Sequence, residues 1–272
     1  MKKFSKIAII LGVVTLFTAC TNGVASNNTE EALSKLDKIK KAGKIVLGTN
    51  AYYPPYEFHK EINGKDEIVG FDIDIAKKIA ENLGVELEIK DMDFDGLLLA
   101  LNADKVDFVI AGMTPTPERA KAVNFSKVYY KAIHGVIINV DNKDVFNTLN
   151  DLTGKKIGAQ KSTVQEEVAK AEITDIQLKS LAKIPDLILE VKNNKIDGLV
   201  IEKPVAVAYT YRNKDLMLMD ITFEDAEGGS AVAVKKENTD LLDEINKTLD
   251  TLMSNGDIEE FITEATKIVD DL

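Results

Sequence analysis

Beyond residue 43 the chain repeats one pattern: a short, β-branched apolar run, then a longer segment with apolar residues on one helical stripe. That alternation constrains the fold more than any other feature. Strands alternating with amphipathic helices pack as a mostly parallel sheet covered by helices. Lys44–Gly48, Val85–Ile89, Val106–Ala111, Gly135–Val140, Lys156–Ala159, Gly198–Ile201 and Ala231–Val234 read as buried strands. Between them, Asp72–Leu83 places Ile75, Ile79 and Leu83 at spacings of four. Gly84 follows as the stop, because a left-handed helix end carries no steric penalty for glycine. Glu237–Asn255 and Asp257–Val269 form two final helices divided by Asn255-Gly256. The pattern predicts two α/β lobes, one before about residue 134 and one after. It leaves open which lobe takes the last strand and helices.

The first residues read as a leader. Lys2, Lys3 and Lys6 precede an apolar run from Ile7 to Phe17, shorter than the roughly 20 residues a bilayer span needs. The chain's one cysteine closes the run Leu16-Phe17-Thr18-Ala19-Cys20, which resembles the lipobox of bacterial lipoproteins. The resemblance implies that residues 1–19 are removed and that Cys20 is diacylated. Phe17 departs from the aliphatic residue usual there, and an ordinary secretory signal with an incidental cysteine is the alternative. Residues 20–37 then comprise the lipidated cysteine and a small, polar tether. Two acyl chains anchor a protein stably where one does not. Without the leader's three lysines the net charge moves from −11 to −14. Such a surface repels nucleic acid and anionic lipid. A lone cysteine provides no disulfide framework, so the core alone holds the fold.

Four stretches carry chemistry. The first is Ala111-Gly112-Met113-Thr114-Pro115-Thr116-Pro117-Glu118-Arg119. Thr116 is a good N-cap and Pro117 a good first helical residue, so a helix starts there directly after a strand. Arg119 then lies in the first turn, where a cation opposes the helix dipole unless an anion sits nearby. Lysines number 32 and arginines two, Arg119 and Arg212, so the planar fork of arginine is itself a signal. The bland reading is an exposed arginine paired with a neighbouring acid. The second stretch, Gln160-Lys161-Ser162-Thr163, precedes Val164–Val168 with capping-box spacings from Ser162 to Gln165 and from Thr163 to Glu166. Its N–H groups suit a carboxylate, or are satisfied by the caps themselves. The third is Glu202, at the carboxyl end of an apolar strand, where ligands of open α/β sheets sit. It suits an ammonium group; a dipole-favoured acid at a helix start is the functionless alternative. The fourth is aromatic: Tyr52, Tyr53, Tyr56 and Phe58 follow the first strand, and Phe94 follows the second. Prolines and a glycine place these rings on loops, where two of them can sandwich a ligand.

Enzyme signatures are missing from the sequence. His59 and His134 lack partners at metal-ligand spacing, and there is no nucleophile elbow, phosphate loop or dinucleotide fingerprint. The expectation is a protein with no catalytic residues, no metal and no cofactor.

Taken in order, these motifs resemble the amino-acid-binding proteins of ABC importers, the family 3 extracellular solute-binding proteins. Gly70-Phe71-Asp72-Ile73-Asp74-Ile75-Ala76 is similar to that family's signature near its first long helix. The stretch from Ala111 to Arg119, Val123-Asn124-Phe125-Ser126 and Tyr129-Tyr130 follow it closely. The resemblance implies a type II periplasmic-binding-protein-like fold: two Rossmann-like lobes, a two-stranded hinge and a ligand in the cleft between them. Residues 38–132 plus 230–272 would form the first lobe and residues 133–229 the second. It implies that Arg119 grips the ligand's α-carboxylate, with Gly112, Met113 and Thr114 alongside and Ser162 and Thr163 adding donors. Glu202 would hold the α-ammonium, while Tyr53 and Phe94 flank the side chain. Asn50 stands where several relatives carry aspartate, which argues mildly against arginine or lysine as the ligand. Glu57, Asp93 and Asp95 are near enough in sequence to restore a negative pocket. The expected ligand is a neutral polar amino acid such as glutamine, with cystine or a cationic amino acid next.

The expected partners are a free amino acid, a permease and its ATPase, with the protein monomeric on the outer membrane face through its lipid anchor. A zwitterion bridging Arg119 and Glu202 would favour the closed lobes. Two other readings compete: an exported dehydratase or lyase on the same frame, and a sensor module. The first needs a general acid or base facing a substrate carbon, and no candidate stands out.

Overall fold

A computed structural model describes residues 33–131, 133–223 and 228–270; Cys20 and the leader lie outside them. The chain enters through α1 (Lys35–Ala42) and β1 (Lys44–Thr49), then β2 (Tyr52–Tyr53), β3 (Glu57–Ile62) and β4 (Lys65–Val69). Next come α2 (Phe71–Leu83), β5 (Glu86–Asp91), α3 (Leu97–Asn102), β6 (Phe108–Val109), α4 (Pro117–Ala122) and β7 (Val123–Tyr130). A second run holds β8 (His134–Asn139), β9 (Lys156–Gln160), α5 (Val164–Glu172), β10 (Gln177–Leu181) and α6 (Ile184–Lys192). It continues with β11 (Gly198–Glu202), α7 (Lys203–Arg212) and β12 (Leu216–Leu218). The chain then closes with β13 (Ser230–Lys235), α8 (Thr239–Asn255) and α9 (Asp257–Asp270).

Ten of these strands form two five-stranded sheets, ordered β5-β1-β6-β13-β7 and β10-β9-β11-β8-β12, and β2, β3 and β4 form a small antiparallel sheet in that order. In the first, β1 runs parallel to β5 and β6, while β13 is antiparallel to β6 and β7. In the second, β9 is parallel to β10 and β11, while β8 is antiparallel to β11 and β12. The chain crosses between the sheets after β7 and returns ahead of β13, so the last strand, with α8, joins the first lobe. Each five-stranded sheet is the centre of one lobe.

Local chemistry explains the helix limits. Thr116 caps α4, its hydroxyl accepting the Arg119 N–H at 3.3 Å, with Pro117 in the first turn. Gly84 and Gly256 end α2 and α8 in the left-handed conformation, with φ of 71° and 80°. On α2, Ile75, Ile79 and Leu83 are buried as the spacing predicts, and Ile73, Ala76 and Ala80 widen the stripe. That width is required because α2 packs on β1 and β5 and also against α8 and α9. Gly70 precedes it at φ 129°, and a Cβ there would lie 2.1 Å from the Tyr56 carbonyl oxygen. Only glycine lets the helix start approach the aromatic loop so closely.

Several expected boundaries shift. Ladder pairing within Val106–Ala111 is confined to Phe108–Val109, although Val106, Ile110 and Ala111 are also buried. Burial set the apolar run there, while backbone hydrogen bonds to β1 are donated from Asp107 and Ile110 on either side of that pair. The helix expected from Glu237 starts at Thr239. The antiparallel β3–β4 pair was not among the expected strands because its residues, such as His59, Lys60, Glu61, Asp66 and Glu67, are polar. Its turn, Asn63-Gly64, has φ of 53° and 77°, the two left-handed residues of a tight hairpin.

Candidate functional site

Between the lobes lies a tight cavity with room for only about 10 Å³, lined by Asn50, Tyr53, Glu57, Phe94, Ala111, Gly112, Thr114 and Arg119 from one side. Gln160, Thr163, Val164 and Gln165 line it from the other. Its floor consists of strand ends: Asn50 follows β1, Gly112 follows β6 and Gln160 ends β9, as expected for an open α/β sheet.

Arg119 reaches across the cleft. Its guanidinium donates to the Thr114 carbonyl at 2.8 Å and to the Ser162 carbonyl of the second lobe at 2.8 Å. Its carbon also lies 5.2 Å from the centroid of the Phe94 ring, a cation–π contact. Two carbonyls and a ring thus hold the planar group in one orientation, which an ammonium on a flexible stem could not match. The six-residue α4 contributes the Thr116 cap and the position of Arg119 more than any dipole.

Other side chains join the lobes directly. Gln160 Nε2 donates to Asn50 Oδ1 at 2.9 Å and to the Ala182 carbonyl at 2.9 Å. Asn50 in turn donates to the Met92 carbonyl at 2.9 Å, which ties its amide to the sheet edge. Gln165 Nε2 donates to the Tyr53 hydroxyl at 3.4 Å. At the rim, Lys161 of the second lobe pairs with Asp95 of the first at 2.8 Å.

Beneath the cavity is a buried acidic cluster. Asp72 Oδ2 accepts the Gly112 N–H at 2.8 Å and Oδ1 accepts the Tyr129 hydroxyl at 2.8 Å. Gly112, at φ 54°, is therefore held by an acid from α2, and a Cβ on it would meet the Tyr53 ring at 3.3 Å. Burial raises the Asp72 carboxyl from 3.8 to about 6, although both hydrogen bonds pull it down. Burial also pushes the Glu57 carboxyl well up, helped by the charges of Asp72, Glu202 and Asp91. The Tyr53, Tyr56 and Tyr129 hydroxyls are raised by burial first and then by Glu202 or Asp72.

The structure gathers seven of the expected residues on one cavity: Asn50, Tyr53, Phe94, Gly112, Thr114, Arg119 and Thr163. Met113 has its side chain in the first lobe's core, and Ser162 touches the site through its carbonyl and the rim notch. Glu202 is buried beside the cavity without lining it; the Tyr56 hydroxyl donates to its carboxylate, and the Tyr53 hydroxyl bonds its backbone. The capping boxes at α5 are not formed. The Thr163 hydroxyl donates to the Gln160 carbonyl at 2.6 Å, and Glu166 instead accepts the Ser162 N–H at 2.9 Å. Ser162, at φ 64°, turns the chain so that its own amide meets that acid. Asp93 is exposed and Asp95 is engaged by Lys161, so of the three acids named for the pocket only Glu57 reaches it. Gln160 and Gln165 are not among the expected ligand residues, and Gln165 was expected only as the capping partner of Ser162. Their signal was their position at a strand end and in the first turn of a helix, both at the carboxyl edge of the second sheet.

Two α/β lobes closed on a polar, ring-walled cavity define a solute-binding protein. Residues 45–265 match the model of the bacterial extracellular solute-binding proteins, family 3. The arginine-binding extracellular protein ArtP of Bacillus subtilis is 38% identical over 263 residues, covering 96% of both chains. A probable histidine-binding protein of Campylobacter jejuni is 32% identical over 94% of this chain and 95% of its own. The amino acid ABC transporter substrate-binding protein AbpA of Streptococcus pneumoniae, solved bound to L-arginine, superposes with a TM-score of 0.81. It is 38% identical, with 85% of this chain and 98% of AbpA covered. The chain belongs to the bacterial extracellular solute-binding proteins, family 3, and is a substrate-binding protein of the amino-acid ABC transporter class.

Proposed function

We propose that the protein captures a basic amino acid, arginine foremost, by lobe closure and delivers it to an ABC permease and its ATPase. The observation that carries this reading is the group of buried carboxyls at the cavity. Glu57 lines it, and Asp72 and Glu202 are close enough to act on Glu57, with Arg119 the lining cation. A zwitterion adds no net charge to such a site, whereas a basic amino acid brings one positive charge, which the acids attract. That ranks a cationic side chain above the glutamine-like one expected from Asn50 alone. The arginine bound to AbpA and the arginine-binding role of ArtP point the same way.

In this reading the Arg119 fork takes the α-carboxylate, beside Gly112, Thr114 and Thr163, and Glu202 sets the ammonium end. Tyr53 and Phe94 flank the side chain and exclude water. Cys20 is the lipid attachment that keeps the receptor at the outer membrane face. Binding favours the closed state because its contacts come from both lobes. A thermal-shift screen of the twenty amino acids and cystine tests it. A ligand at 100 times its Kd adds about 2.7 kcal/mol, a readily seen shift. Arginine or lysine raising the midpoint most, with the effect lost in Arg119→Ala, is the expected result. A response to glutamine and none to basic amino acids refutes it.

A further inference from the structure

Neither carboxylate oxygen of Glu57 receives a hydrogen bond among the described residues, and both are buried. Asp72, another buried acid, acts on it with charge of the same sign. Asp72 already accepts the Gly112 amide and the Tyr129 hydroxyl, each at 2.8 Å, so its two oxygens are supplied with donors and its charge is the better held. Two carboxyls in contact inside the protein do not both ionise, and the proton goes to the one with fewer donors. That is Glu57.

The surroundings leave Glu57 little other choice. Asp91 at the end of β5 and Glu202 at the end of β11 act on it with the same sign. Tyr53, its partner across the β2–β3 ladder, and Tyr129 on β7 are neutral phenols held up by burial. From β4 the neighbouring ladder position holds the apolar pair Phe58 and Val69. Arg119 lines the same cavity, with its guanidinium on the Thr114 and Ser162 carbonyls.

We propose that Glu57 is the counter-ion for the ligand's cationic side chain and releases a proton to solvent when that side chain enters. The step balances: the Glu57 O–H bond breaks, the proton leaves to buffer, and a carboxylate–guanidinium or carboxylate–ammonium pair replaces it. The entering cation offsets the repulsion that kept Glu57 neutral, and in a dry site that attraction is strong. Basic amino acids would therefore bind with proton release and neutral isosteres without it. This rests on the basic-amino-acid reading above.

Calorimetric titration of the protein at about pH 7, in buffers of different ionisation enthalpy, counts the protons. L-arginine is expected to release about one proton, and its affinity to rise about tenfold per pH unit while Glu57 is protonated beforehand. Neutral L-citrulline, of nearly the same shape, is expected to release none. Glu57→Gln is expected to bind arginine at least tenfold more weakly, with no buffer dependence. Arginine bound tightly by the wild type with no buffer dependence overturns the inference and leaves the proposed function standing. Equal proton release with citrulline also overturns it, because the charge would not be the cause. If Glu57→Gln fails to fold, the wild-type comparison of arginine with citrulline still decides. Failure of every basic amino acid to bind overturns both.

Discussion

Replacing Asp72 with asparagine separates the charge of this buried carboxyl from its hydrogen bonds. Asp72 is fully buried and raised from 3.8 to about 6 by burial, against the pull of the Gly112 amide and the Tyr129 hydroxyl. An acid raised in the fold contributes stability that is full below its unfolded value and is lost as pH rises through its folded value. The window here is therefore about pH 4 to 6. At 1.36 kcal/mol per pH unit, that loss is about 3 kcal/mol. Asparagine keeps the shape: its carbonyl can accept the Gly112 amide and its NH2 can donate to the Tyr129 oxygen, whose hydrogen rotates. Neutralising Asp72 also removes a like charge from Glu57, which acts in the same direction. Urea unfolding of the ligand-free protein and of Asp72→Asn, from pH 4 to 7, is the assay. The difference between the two is the quantity to follow. Carboxyls such as Asp151, held below its ordinary range by hydrogen bonds from Asn147 and Thr148, impose an opposite trend on both proteins, which cancels. Asp72→Asn is expected to gain about 3 kcal/mol on the wild type between pH 4 and pH 7. A difference that does not change with pH, or that favours the wild type as pH rises, refutes the reasoning.

Arg119→Lys keeps the charge but loses the fork seated on the Thr114 and Ser162 carbonyls and the Phe94 ring. Affinity for the cognate amino acid is expected to fall about 100-fold by calorimetry. Gly70→Ala places a Cβ 2.1 Å from the Tyr56 carbonyl oxygen at φ 129°, so a loss of roughly 3 kcal/mol or more is expected in thermal unfolding. Lys161→Ala removes the rim ion pair to Asp95 that joins the lobes. Ligand dissociation by stopped flow is expected to quicken about two- to fivefold at low salt, with the difference fading near 1 M.

Parts of the site were legible because their signals are local. Thr116-Pro117 announces a helix start within four residues of Arg119, and the structure places the cap and the arginine there. The Asn63-Gly64 turn was equally legible, although polar strands on both sides hid the hairpin from a search for apolar runs. The capping boxes at α5 failed for a related reason. The spacing was present, but Ser162 turns into the left-handed region and hands its amide to Glu166. The reading of Asn50 as a sign of a less acidic pocket also stopped at sequence distance. Glu57 reaches the cavity, while Asp95 turns to Lys161 at the rim.

The sequence alone determined the α/β class, the helix stops at Gly84 and Gly256, and the strand ends on which a ligand site of this kind must rest. Those follow from residue spacing and backbone preference, which act over a few positions. Tertiary structure decided which side chains meet: Gln160 with Asn50, 110 positions apart, and Asp72 with both Gly112 and Tyr129. It also buried Glu57 without a donor while giving Asp72 two. Burial and the supply of donors set a carboxyl's charge, and both come from chain segments that neither residue's neighbours in sequence reveal.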